Sequence, residues 1–307
     1  MLVSEFQELD HINTQLLVVS VSKGVNNGAP YLNLEFRDAS GSINGKKWSV
    51  LPEDETIFVP GNVIEVAAEV IKYKEALQLK VSEGQLIPLE EINVAKFVKA
   101  PPVKKEVLID RFNAHVASVK NKDCALLLNY FINKYKDKLF DYPAAMNVHH
   151  EYSSGLLMHS VSMADLANYL APIYDADRDI LLTGCLLHDF GKMIEYVGPI
   201  VYKQTIEGKL VGHISIMSAE IINASKELNI TSEVPLLLQH MILSHHGSHE
   251  FGSPILPLTK EALLLSLIDN LDSKMVIVNK ALETVKPGEF SQKVFPLDNR
   301  TLYKPKD

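Results

Sequence analysis

A chain of 307 residues, 47% of them hydrophobic, can bury more than one core, so two folded units are expected and neither needs a disulfide staple. Its 38 acidic residues outnumber its 30 basic ones, and the net charge of −8 excludes a nucleic-acid footprint spread over the whole surface; local lysines or metal ions could still handle phosphate. No apolar run reaches the ~18 residues a membrane helix needs, and the start MLVSEFQELDHIN is acidic where a signal peptide is basic. The expectation is a cytoplasmic protein without membrane contact, in which Cys124 and Cys185, each inside an apolar helical pattern, are reduced and buried.

Residues 12 to 88 read as β-structure. TQLLVVSV, YLNLEFRD, SINGKKWSV, NVIEVAAEVIKY and EALQLKVS are separated by turn signals such as Asn26-Asn27-Gly28 and Pro60-Gly61, and five strands in this length predict a small barrel. The second strand alternates, with Leu32, Leu34 and Phe36 on one face and Tyr31, Asn33, Glu35 and Arg37 on the other. By the same parity Trp48 shares a face with Asn44 and Lys46. The arrangement resembles an OB-fold that binds single-stranded nucleic acid, in which Tyr31 and Trp48 would stack on bases and Lys46 would meet phosphate. A barrel-core Trp48 is the competing reading, because one β-bulge reverses the parity.

KFVKAPPVKKE, residues 96 to 106, joins a Pro-Pro pair to four lysines without apolar periodicity and reads as an interdomain linker. Beyond it, apolar residues at three- and four-residue spacing predict helices around 107–140, 155–172, 177–190, 215–228, 233–245 and 259–285. VYKQTIEGKLVGH interrupts them as a hairpin with a Glu207-Gly208 turn. The fold class expected is multi-domain α+β: an OB-like domain over 1–95, a linker and connecting helix over 96–125, and an all-α domain with a small hairpin insertion over 126–307.

Nine of the eleven histidines fall between His149 and His249. Core packing explains such clustering poorly, and metal ligation explains it well. The central element is His188-Asp189, at the end of ILLTGCLLHDFGK, where Gly191 is expected to close the helix and Lys192 follows. At a helix end both side chains can reach one cavity, above all if the aspartate lies between two ions. His159, His213 and the His245-His246 pair add imidazoles. Asp269 lies in the otherwise apolar LLLSLIDNLDSKM, where a carboxylate is costly unless paired or metal-bound. His240 is a substitute ligand or a polar helix residue, and His249 reads as exposed.

These residues, in this order, are similar to the HD (His-Asp) superfamily pattern of His, His-Asp and a distant Asp. HDFGK, VYKQTIEGKLVGHISIM, LQHMILSHHG and LIDNLDSKM together resemble the YhaM family of bacterial 3′-to-5′ exoribonucleases, which also carries an OB-like domain ahead of its HD domain. The resemblance implies that His159, His188, Asp189 and Asp269 form a basic metal set and that His213, His245 and His246 serve a second metal. It gives His149 and His150 a substrate or outer-shell contact. Asp189 would bridge two divalent ions and Lys192 would stabilise charge developing on phosphorus. Manganese is the expected metal, with iron, cobalt or zinc as alternatives. Members that cut cyclic di-nucleotides usually carry a Gly-Tyr-Pro triplet after their His-His pair, and this chain has GSHEFGSP there.

The expected activity is metal-dependent hydrolysis of single-stranded RNA from its 3′ end, with single-stranded DNA a second substrate and a homo-oligomer as an open assembly. The competing readings are an HD phosphohydrolase of nucleotides or cyclic di-nucleotides, and a non-catalytic nucleic-acid-binding accessory protein.

Overall fold

The structure, a computed structural model, describes residues 1–74, 76–98, 102–142, 154–198 and 202–306. The chain divides into two compact units, Met1–Ala100 with Gly198–Lys203, and Pro101–Val197 with Gln204–Asp307.

The first unit is a five-stranded barrel of β1 (His11–Asn26), β2 (Ala29–Asp38), β3 (Gly41–Trp48), β4 (Val63–Tyr73) and β5 (Ala76–Leu86), closed in the order β1-β2-β3-β5-β4. It has the OB-like arrangement expected. Closure is possible because the long β1 changes partner along its length: its first half pairs with β4 and its second with β2, and Leu17 pairs with both Val63 and Arg37. Alternation fills the interior, with Leu32, Leu34 and Phe36 from β2 meeting Ile64, Val66 and Val70 from β4 and Leu79 and Val81 from β5.

On β3 the inward row is Ile43, Gly45 and Lys47, so Asn44, Lys46 and Trp48 face outward. The barrel-core reading of Trp48 therefore does not hold. Lys47 is tolerated inside because its ammonium meets Asp54 of α1 (Asp54–Ile57) at 3.6 Å.

Phe97 is buried with Leu17 and Val63 against the barrel, whereas α2 (Lys105–Ala117) and the start of α3 (Lys122–Leu139) belong to the helical unit. Helices α4 (Gly155–Ile173), α5 (Arg178–Leu187), α7 (Ile206–Glu227), α8 (Val234–Ser244) and α9 (Lys260–Glu283) follow, with the single turn α6 (Lys192–Glu195) between α5 and α7. Side-chain caps start four of them: Asn121 on α3, Asp177 on α5, Thr205 on α7 and Thr259 on α9. Cys124 and Cys185 are buried free thiols, and burial raises both; Cys124 is pushed up to about 12.

Two local expectations are corrected. The hairpin is shorter and earlier than its sequence suggests, β6 (Tyr196–Val197) with β7 (Lys203–Gln204). Glu207-Gly208 is no turn. It lies in the first turn of α7, where the Gly208 amide donates to the Thr205 hydroxyl at 2.8 Å, because Thr205 with Gly208 forms a helix cap rather than a turn. Gly191 does not close α5 either. Its φ of −58° is helical, and a Cβ there would lie 2.2 Å from the His213 carbonyl, so glycine is present for close approach of backbone.

No helix among the described residues is long and apolar enough to cross a membrane.

Candidate metal centre

In the helical unit, His159, Asp189, Lys192, His245, His246 and Asp269 line a cavity of about 380 Å³, and His188 and His213 stand against Asp189 beside it. His159 comes from α4, His188 and Asp189 from the end of α5, His213 from α7, His245 and His246 from the end of α8, and Asp269 from α9. Past Leu187 the chain tightens, with the Phe190 amide donating to the Leu187 carbonyl and the Lys192 amide to that of Asp189, so consecutive side chains enter from one corner. Inside α7, Gly212 is left-handed (φ 74°) and kinks the helix immediately before His213.

The ligand atoms form two groups, each within 4.8 Å: His159, His188 and Asp269 in one, and His213, His245 and His246 in the other. Asp189 stands between them. Its Oδ2 is 3.3 Å from His188 Nε2 and 3.9 Å from His159 Nε2, while its Oδ1 is 3.6 Å from His213 Nε2 and 3.9 Å from His245 Nε2. Donors held at about 2.0–2.2 Å from a shared ion lie roughly 3–4 Å apart.

The opposite ring edges fix which nitrogen faces inward. His188 Nδ1 donates to the Cys185 carbonyl at 3.0 Å, and His245 Nδ1 to that of Ile242 at 2.7 Å. His246 Nδ1 donates to the Phe251 carbonyl, also at 2.7 Å. Carboxylates orient the remaining two, Asp272 on His159 Nδ1 at 2.7 Å and Glu195 on His213 Nδ1 at 2.6 Å. Every Nε2 is thereby presented to the cavity, the usual outer support of a metal-binding imidazole.

The electrostatics fit cations. Asp189 Oδ1, His213 Nε2 and His245 Nε2 are all buried without a hydrogen-bond partner among the described residues, three acceptors converging where a donor or an ion is needed. Burial, with repulsion from His246, drives His245 well below its ordinary range, so it presents the neutral ring that a ligand requires. Burial opposes ionisation of Asp189, but Lys192, whose Nζ lies 2.6 Å from Oδ2, and His188 hold the carboxyl well below its usual range. Burial also lowers His159, yet hydrogen bonds to Asp269 and Asp272 outweigh it and push the ring up to about 10, a measure of how strongly this point attracts positive charge.

All seven proposed ligands are thus brought together, with Lys192 beside them. His240 points elsewhere, its Nε2 accepting from the Leu258 amide at 2.8 Å, and His249 is exposed. His149 and His150 lie outside the described residues. On the barrel, Tyr31 and Trp48 are directly paired across β2 and β3, their ring centroids 4.8 Å apart, and Lys46 Nζ sits 5.0 and 5.4 Å from the two rings.

The orienting acids Glu195 and Asp272 were missed at the sequence level. Asp272 carried a signal, an acid three residues after Asp269 in an apolar helix; Glu195 carried none. The cavity's lining by Phe251, Asn270 and Lys274 was likewise not foreseen.

The HD domain family matches residues 156–274. A curated relative, the 3′-5′ exoribonuclease YhaM of Geobacillus sp. (strain WCH70), is 43% identical over 96% of this chain and 92% of its own length. Among solved structures, the HD domain of phosphodiesterase PgpH from L. monocytogenes is 20% identical, covering 43% of this chain and 70% of that one at a TM-score of 0.27. The second OB-fold domain of replication protein A from Methanococcus maripaludis is 22% identical, covering 28% of this chain and 93% of that one at a TM-score of 0.25.

Proposed function

This chain belongs to the family of the 3′-5′ exoribonuclease YhaM, and from that membership we propose that it shortens single-stranded RNA from the 3′ end, with manganese in the His/Asp centre. The observation that carries the reading is the division of Asp189, one carboxylate oxygen toward each imidazole group.

Divalent ions bound there would supply a nucleophile stronger than water and neutralise charge on the phosphoryl oxygens. His159, His188 and Asp269 would hold one ion, His213, His245 and His246 the other, and Asp189 both. Glu195 and Asp272 hold Nδ1 of His213 and His159, so these rings would offer Nε2 to an ion. Lys192 steadies the charge of Asp189 and, from the wall of the same cavity, can contact a phosphoryl oxygen. The outward Tyr31, Lys46 and Trp48 cluster suits an unpaired strand, since stacking and a single cation need no particular base sequence. The assignment of His149 and His150 to substrate rests on the family resemblance, and the reduced state of the two buried thiols supports a cytoplasmic setting.

The test is a time course with purified protein, manganese and a 5′-labelled single-stranded RNA. Stepwise shortening of the labelled strand is expected, and a 3′-blocked strand should resist. Early internal cuts, or hydrolysis of a cyclic di-nucleotide while the polymer stays intact, would overturn the reading.

A further inference from the structure

The loop joining α8 to α9 carries an aromatic residue that the metal chemistry leaves unused. Phe251 closes the single turn His249–Phe251, is 68% exposed, and lines the cavity that holds Asp189, Asp269 and Lys192. Single exposed apolar side chains occur elsewhere on this surface, but Phe251 is set apart by lining the charged cavity, where its ring offers a π-face to a bound molecule.

Its position is also fixed with respect to the metal ligands. His246 donates to the Phe251 carbonyl, the Ser253 amide donates to the Ser248 carbonyl, His249 Nδ1 donates to the Ser253 carbonyl, and left-handed Gly252 (φ 94°) turns the chain back. Ligand and ring are thus tied through one short stretch of backbone. On α9, Asn270 and Lys274 lie one turn apart and line the same cavity. The cavity therefore combines a cation-binding floor, which would hold phosphate through bound metal ions, with an aromatic surface and polar side chains, the set a nucleotide presents in complement as phosphate, base and sugar.

We infer that Phe251 is the stacking platform for the base of the nucleotide whose phosphate sits at the metal centre, with Asn270 and Lys274 meeting its sugar-phosphate. The inference rests on the nuclease reading for the identity of its substrate, but stacking is independent of hydrolysis and tolerates any base.

Titration calorimetry of the full-length, manganese-loaded protein with adenosine 5′-monophosphate and with ribose 5-phosphate tests it directly. The wild type should prefer the compound that carries a base. Phe251→Ala and Phe251→Leu should each reduce that preference by about five- to 150-fold, and Phe251→Trp should retain it. The leucine variant keeps an apolar group of similar size in the loop, so it separates stacking from loop packing, and thermal unfolding run alongside identifies any misfolded variant. An unchanged preference in Phe251→Leu, or no preference in the wild type, would overturn the inference. A protein that shows the preference and its loss but fails to shorten RNA would overturn the nuclease reading and leave the base site standing.

Discussion

At the scale of single residues, the centre depends as much on the groups behind the imidazoles as on the imidazoles themselves. Glu195→Gln and Asp272→Asn each replace a charged acceptor on a ligand's far nitrogen, so metal affinity should fall by about 10- to 100-fold with the helices intact; competition with a chromogenic chelator measures it. Asp189→Asn removes the carboxylate shared by both groups and should abolish hydrolysis, and wild-type-like turnover in the folded variant would sink that role. Trp48 belongs to a different ledger. Because it is 39% exposed and faces outward, Trp48→Ala should change stability by only about 0.5 kcal/mol. It should weaken single-strand binding by about 1 to 3 kcal/mol. Fluorescence anisotropy with a labelled oligonucleotide, beside a thermal melt, would expose a variant that loses neither.

At the scale of elements, two glycines let separate helices share one site. Gly212 bends α7 so that His213 turns inward, and Gly191 lets the α5–α6 corner press against the His213 carbonyl. Gly191→Ala would force this contact apart at a cost of about 1 to 3 kcal/mol, because the obstacle is backbone and cannot rotate away. The second imidazole group should suffer more than the first, since His213 belongs to it. Metal analysis of the dialysed variant is expected to show a lower ion content than the wild type, and an unchanged content would mean that the corner can relax.

At the scale of the whole molecule, removal of residues 1–100 should leave hydrolysis of a small activated phosphodiester, because every proposed ligand lies in the helical unit. KM for long RNA should rise. The cut is placed after residue 100 because Phe97 packs on the barrel; an unchanged KM would deprive the barrel of a substrate role.

Much of this plan is legible in the chain itself. Alternation along YLNLEFRD sets which face of the barrel is buried, three- and four-residue spacing sets the helices, and histidines too numerous for core packing announce a metal centre. These are local or compositional signals, and they survive in one dimension. The sequence could not decide the parity of Trp48, which turned on whether a bulge interrupted β3, nor distinguish a capped helix start from a turn at Glu207-Gly208, since glycine serves both. It could not show that Gly191 is needed for a carbonyl 22 residues away, that His240 is spent on the Leu258 amide, or that Glu195 and Asp272 stand behind His213 and His159. Those facts depend on distances between elements remote in the chain, and only packing of the helices around a common cavity creates them.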